Sequence, residues 1–255
     1  MREILFAFPI IGILWIMGCE ETPTAPEVSP SVTYAAIENG AKLRLTWTAV
    51  SDADGYNIYI DGVKDTSITA ISYDVSGPAK KIEVCAYTDS EEGPKWELSL
   101  TPVVTTLTVY GRSDTSPDHP SGFGFTSDGT AVTYALSDST NWPKIDFFIE
   151  DVGIPIALWS PHHMNYNTEE NASVESPTIT EFDSLNSAAA PGSYSTQTSL
   201  STGGLYSIWI DPNASGWDAT NDHFGKLKVS DISGTKVDIR VAYQKITGIR
   251  WVVTD

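Results

Sequence analysis

Four histidines occur in this chain, His119, His162, His163 and His223, all in its C-terminal part. Two of them stand in "LWSPHHMNY", residues 158 to 166, where a strand ending at a Ser-Pro turn presents His162, His163 and Met164 on one loop. Imidazole and thioether both ligate haem iron and soft transition metals, so this loop is a candidate haem or metal site, with solvated loop histidines as the plain alternative. A second constellation is "DPNASGWDATND", which sets Asp211, Asn213, Asp218, Asn221 and Asp222 around Trp217. Calcium wants several side-chain oxygens close together, and an exposed indole suits the apolar face of a pyranose ring, so this loop is a candidate glycan or calcium site. It lacks the one-three-five spacing and closing glutamate of an EF-hand, and stretches rich in Asp, Asn and Gly also simply make good turns.

Patterns that would announce an enzyme are missing. There is no nucleophile elbow, H-E-x-x-H, phosphate-binding glycine loop or cysteine-based zinc pattern. Glu150 and Asp151 are neighbours on an expected strand and therefore point to opposite faces, so they would not converge on one glycosidic bond. Glu169 and Glu170 fall in a polar stretch that reads as a solvated loop. The expectation is a binding protein and no catalysis.

The two cysteines differ in context. Cys19 closes an apolar run from Ile4 to Gly18 that carries no charge and spans 15 residues. That is a secretory h-region, short of the roughly 20 residues a membrane-spanning helix needs. The ending Ile16-Met17-Gly18-Cys19 resembles the lipobox of bacterial lipoproteins: an aliphatic residue at −3, a small one at −1, then the cysteine. The resemblance implies that residues 1–19 act as a lipoprotein signal peptide and that an acylated Cys19 becomes the mature N-terminus. More than one acyl chain makes such an anchor firm. Glu20, where an inner-membrane retention aspartate would stand, points to the outer membrane of a bacterial cell envelope. Cys85 is then the only thiol left, so no disulfide framework is expected, and its strand position with no histidine nearby in sequence reads as inert.

Charge sets a further bound. Against 15 basic residues stand 33 acidic ones, a net −18. Such a surface repels nucleic acid and anionic headgroups, so the expected contact with a membrane is through the lipid alone. The hydrophobic fraction of 41% belongs to a globular chain and not to an acidic disordered tail.

These loops must be held by strands. Residues 20–31, "EETPTAPEVSPS", read as a flexible, proline-bearing linker. From Val32 to Val103 the pattern is period two. "KLRLTWTAV" alternates Leu43, Leu45 and Trp47 against Lys42, Arg44 and Thr46, and further short strands follow between turn clusters. "LRLTWTAVSDADGYNIYIDG" resembles the first half of a fibronectin type III domain, whose strand-B tryptophan packs under a strand-C tyrosine. Trp47 and Tyr56 hold those places, and "VCAYTDSEEGP" matches a strand-F ending that runs into a glycine-bearing turn. Lys80 departs from the family's corner tyrosine, and the adhesive Arg-Gly-Asp is absent.

Residues 104–255 continue with strand-like segments, among them "TTLTVYG", "GFGF", "KIDFFIE", "GLYSIWI", "KVDIRVAY" and "IRWVV". In "KVDIRVAY" the set Val237, Ile239, Val241 and Tyr243 alternates with Lys236, Asp238, Arg240 and Ala242, one face dry and one wet. "TITEFDSLNSAAAPG" sets Thr178 and Glu181 at capping-box spacing with Ile179, Phe182 and Leu185 along one side, which predicts a short surface helix. "SGFGFTSDG", "KIDFFIED" and "HFGKLKVSDISGTKVDIRVAYQ" resemble the strand pattern of HmuY-like haem-binding lipoproteins. In that family two loop residues, histidine or methionine, clamp the haem, and here the 162–164 loop and His119 could supply them.

The expected fold class is mainly β, two β-sandwich domains in tandem: a fibronectin type III-like module, then a larger antiparallel β domain with one short helix. The expected function is a membrane-anchored lipoprotein presenting these modules for binding or adhesion to an unknown protein. Capture of haem or metal at His162, His163 and Met164, and glycan binding at the Trp217 loop, are the alternatives.

Overall fold

A computed structural model describes residues 24–89 and 91–255; the expected signal segment, Cys19 and the first residues of the expected linker lie outside the described residues. The fold is mainly β, with four antiparallel sheets.

The N-terminal half contains β1 (Val32–Ile37), β2 (Lys42–Trp47), β3 (Gly55–Ile60), β4 (Val63–Ile68), β5 (Ser72–Val75), β6 (Lys81–Thr88) and β7 (Glu91–Ser99). A sheet ordered β1-β2-β5 faces one ordered β4-β3-β6-β7. The alternation in β2 decides its orientation: Leu43, Leu45 and Trp47 are buried while Arg44 and Thr46 are exposed. Across the core they meet Tyr56 and Ile58 of β3 and Ile82, Val84 and Ala86 of β6. Trp47 and Tyr56 touch edge to face with ring centres 5.2 Å apart, and the Tyr56 hydroxyl accepts a 2.8 Å hydrogen bond from the Val50 amide. Pro26 and Pro30 of the linker are buried, and Gly93, expected in a turn, lies inside β7.

The opposite face of β6 is covered as well. Asn57, Glu83 and Cys85 are buried there, with Glu92 accepting from both Asn57 Nδ2 and Tyr59 Oη at 2.5 Å. Burial, with the Glu92 charge adding, pushes the Cys85 thiol up to about 11, which keeps it protonated and unreactive at neutral pH.

The C-terminal half contains β8 (Val103–Tyr110), β9 (Gly122–Phe125), β10 (Ala131–Tyr134), β11 (Phe147–Glu150), β12 (Ala157–Trp159), β13 (Ala172–Glu175), β14 (Gln197–Ser199), β15 (Leu205–Ile210), β16 (His223–Ser233) and β17 (Lys236–Tyr243). Sheets ordered β10-β9-β11-β12-β14 and β13-β15-β16-β17-β8 enclose one core. Phe123, Phe147, Ile149 and Leu158 enter it from the first sheet, and Tyr206, Ile208, Leu227, Val237, Ile239 and Val241 from the second.

The second face of this last sheet is not the wet face that the alternation in β17 predicts. Trp209, Phe224 and Ala242 are buried on it beneath Phe182, Leu185, Ala188 and Val252. This covering role also explains the helix. Only one 3₁₀ turn forms, Phe182–Ser184, because the apolar residues of 179–188 are spread along an extended path over the sheet. Lys226 Nζ donates to the Leu185 carbonyl at 3.0 Å and Lys228 Nζ to the Thr180 carbonyl at 2.6 Å, which fixes that path.

"IRWVV" forms no strand; Trp251 makes a single bridge to Ser187. Ile249 and Trp251 instead join the core of the N-terminal sandwich. Gln244 Nε2 donates to the carbonyls of Leu100 at 2.7 Å and Trp251 at 2.8 Å, and the Arg250 amide donates to the Gly40 carbonyl at 3.0 Å. Gly40, at φ +78°, tolerates no side chain here, since a Cβ would stand 2.3 Å from the Gly248 carbonyl. The two sandwiches are thus locked by the end of the chain.

Candidate functional site

A cleft of about 250 Å³ opens where the segment after β8 passes the ends of β9, β10 and β11. Its construction starts at Gly111. A Cβ there would fall 2.3 Å from Asp151 Oδ2, so the glycine lets Asp151 reach past the chain to accept from the Ser113 amide at 2.8 Å and the Ser113 hydroxyl at 2.5 Å. Arg112, next along, donates from its amide to the Ile149 carbonyl at 2.9 Å and from Nε to Glu150 Oε2 at 2.7 Å. The Glu150 carboxylate is buried and holds the guanidinium firmly in its charged form. Neighbouring acids Glu150 and Asp151 therefore brace one segment from two sides.

Asp114 and His119 face each other across the turn Ser116–His119. Asp114 Oδ2 is 2.8 Å from His119 Nδ1 and accepts from Thr235 Oγ1 at 3.0 Å, while Oδ1 accepts from the Ser116 amide at 3.0 Å. The Ser116 amide first, then His119, hold the Asp114 carboxyl well below the usual carboxylate range. The imidazole lies flat on Tyr110, ring centres 3.8 Å apart and planes 4° from parallel. With Nδ1 committed to a carboxylate, Nε2 is the nitrogen left to a ligand. Ser121, Tyr166 and the 135–137 segment also line the cleft, and Tyr166 is itself held against Trp142 at 4.7 Å and Phe148 at 5.7 Å. Arg112, Asp114, His119 and Tyr166 are each held by a residue behind the lining, Glu150, Thr235, Tyr110 and Trp142 respectively, the arrangement that lowers the entropic cost of binding.

The loop of His162, His163 and Met164 is a 3₁₀ turn, Pro161–Met164, closed by Asn165 in the left-handed region at φ 56°. Its three side chains take separate paths. Met164 packs on the apolar cluster of Leu136, Ile145 and Phe148. His163 Nε2 sits 2.6 Å from Thr196 Oγ1 with its ring edge-on to Trp159, and burial pushes its pKa down. His162 is exposed, 3.9 Å from Glu170. The turn does bring Tyr166 to the floor of the cleft, so the segment singled out in the sequence contributes through its last aromatic residue.

The expected glycan or calcium loop also turns inward. Asp211 accepts from the amides of Ser215 at 3.3 Å and Gly216 at 3.1 Å, and Asp218 from the Thr220 amide at 2.7 Å and Asn221 Nδ2 at 2.6 Å. Asp222 Oδ2 accepts from Trp209 Nε1 at 2.9 Å and the Asp218 amide at 2.8 Å, and burial pushes this carboxyl up to about 6. Trp217 is no free platform: its Nε1 donates to the Gly248 carbonyl at 3.1 Å and its ring packs against both the N-terminal core and the cluster beneath Phe182. Of the loop residues named from the sequence, Asn213 and Asn221 stand exposed, and Asn221 spends its amide on Asp218. Among the described residues no group of three His, Cys, Asp or Glu side chains is placed to hold a metal ion.

Glu169, expected in a solvated loop, is half-buried opposite Asp146 and accepts from Asn171 Nδ2 at 2.9 Å. Burial and the Glu169 charge push the Asp146 carboxyl well up, and burial raises Glu169 too. Arg112, Asp114, Ser121 and Tyr166 escaped the sequence reading. The one local signal was Asp114 and His119 bracketing a Ser-Pro turn.

No family model and no curated protein matches the sequence. Among solved structures, a DUF4466 family protein from Parabacteroides merdae is similar with a TM-score of 0.39 and 10% identity, over 87% of this chain and 99% of that one. A beta-glucuronidase from glycoside hydrolase family 2 gives a TM-score of 0.21 and 11% identity, over 91% of this chain and 22% of that one. Neither likeness is close enough to assign a family.

Proposed function

We propose that this chain is a lipid-anchored protein of the bacterial cell envelope that binds a small polar ligand in the Arg112–His119 cleft and performs no chemistry on it. The observation that carries the binding reading is the convergence of Arg112, Asp114, His119 and Tyr166 on one cleft, each braced from behind. Binding is favoured over catalysis because, among the described residues, no hydroxyl or thiol is hydrogen-bonded to His119 as an activated nucleophile would be. The lipobox-like ending at Cys19 supports the anchor, and the net charge of −18 suits a body held off an anionic surface by a tether and argues against nucleic acid. The Trp47–Tyr56 contact supports the fibronectin type III-like reading of the N-terminal sandwich, which would serve as a spacer or platform.

The test is a saturation-transfer screen of small polar fragments against the full-length protein in detergent micelles, with His119→Ala alongside. Signals that weaken in the variant support the reading. Signals of equal strength in both proteins, or none, overturn it.

A further inference from the structure

We infer that the ligand of the cleft is a neutral, polyhydroxylated ring of single-sugar size, an assignment that rests on the binding reading above. Size comes first. At about 250 Å³ the cleft lies just below the roughly 300–1,000 Å³ typical of ligand pockets, which suits one pyranose ring better than a tetrapyrrole.

Charge comes second. The Arg112 cation is neutralised by Glu150 at 2.7 Å, and Asp151 stands on the adjoining Ser113. Asp114 lines the cleft itself and the Asp151 charge also acts on Arg112, so a carboxylate or phosphate would enter a site whose balance is already negative, in a protein of net charge −18. An ammonium would have to share Asp114, three of whose roughly four acceptor sites are taken by Ser116, His119 and Thr235.

The hydrogen-bonding inventory comes third. Among the described hydrogen bonds Arg112 uses only its amide and Nε, which leaves its terminal N–H groups as donors. His119 Nε2 is an acceptor when Nδ1–H points to Asp114, and Ser116, Ser121 and Tyr166 hydroxyls serve both ways. Only a ligand that both donates and accepts at several points matches this set, as ring hydroxyls do.

The experiment is calorimetric titration of the full-length protein in micelles with glucose, galactose, mannose, glucuronate and lysine, repeated on His119→Ala and Ser121→Ala. The inference expects saturable binding of at least one neutral hexose at millimolar concentration, weakened about tenfold in each variant, the effect of one lost hydrogen bond. Glucuronate or lysine binding lost in the variants, with no hexose binding, overturns the sugar assignment while the cleft reading stands. Hexose binding unchanged in both variants places the sugar elsewhere and overturns the inference. No binding of any probe overturns it as well.

Discussion

The indole of Trp251 donates a 3.2 Å hydrogen bond to the carbonyl of Ala41, 210 residues earlier, from inside the core of the N-terminal sandwich. The last residues of the chain thus complete the first unit of the fold. Trp251→Ala removes a fully buried ring, and such truncations cost about 3–5 kcal/mol. Because the same residue ties the two sandwiches, calorimetry of the wild type is expected to show one transition, shifted down as a whole in the variant. Two transitions, only one of them moved, would contradict this coupling.

Gly111→Ala places a methyl group 2.3 Å from the Asp151 carboxylate. The carboxylate must leave Ser113, at a cost of about 1–3 kcal/mol, and Arg112 shifts with it. The expected outcome is a lower urea midpoint together with weaker ligand binding. Unchanged binding would mean that the 111–114 segment does not shape the site.

Glu150 is buried against a partly exposed Arg112. Glu150→Ala leaves the guanidinium without its partner and two amides, Asp151 and Val152, without their acceptor. Full burial of such a pair would make the loss 3–5 kcal/mol, so with one partner half wet it is expected at about 2–3 kcal/mol by urea denaturation. Glu150→Gln, which keeps an acceptor, should recover part of it.

Acid strength gives a fourth test. Asp146 and Glu169 have folded-state values raised above the roughly 4 of an unfolded carboxyl. Their contribution to stability is fully present below that pH and is lost as pH rises through the raised values. Asp146→Asn keeps an acceptor for the Phe125 amide and removes one of the two charges. It is expected to be more stable than wild type at pH 8 and to lose less between pH 5 and pH 8, with a residual slope from Asp222 and from Glu169, which burial still raises. A steeper slope in the variant would show that the pair is not proton-sharing in the folded protein.

Cys19→Ser should abolish acylation and release the protein from the membrane fraction. Mass spectrometry of the wild type should find the mature N-terminus at a lipid-modified Cys19. An unmodified N-terminus elsewhere would remove the anchor from the account.

Much of the architecture was legible because a strand writes its burial into alternate residues: Leu43, Leu45 and Trp47, or Val237, Ile239 and Val241, could be placed from sequence alone. What failed were inferences about the second face. Ala242 was assigned to water because nothing nearby in sequence says that residues 182–188 will lie over it, and the same covering segment mimics a helix because Ile179, Phe182 and Leu185 keep a three-residue spacing in an extended chain. Trp251 looked like a strand residue for the same reason, its partner lying 210 positions away. The cleft was hidden because its parts come from separate strands and loops. Arg112 and Glu150 become a pair only because the loop after β8 runs beside β11, its Arg112 amide on the Ile149 carbonyl, and the clusters that drew attention, 162–164 and 211–222, spend most of their polar groups on their own or neighbouring segments.

The most direct test of the account is chemical-shift mapping of the full-length protein in micelles as a bound sugar or polar fragment is titrated. The account predicts changes concentrated at Arg112, Asp114, His119, Ser121 and Tyr166, with the Trp142 indole responding through its contact with Tyr166. Changes centred instead on Trp217, on His162 and His163, or on the N-terminal sandwich would contradict it.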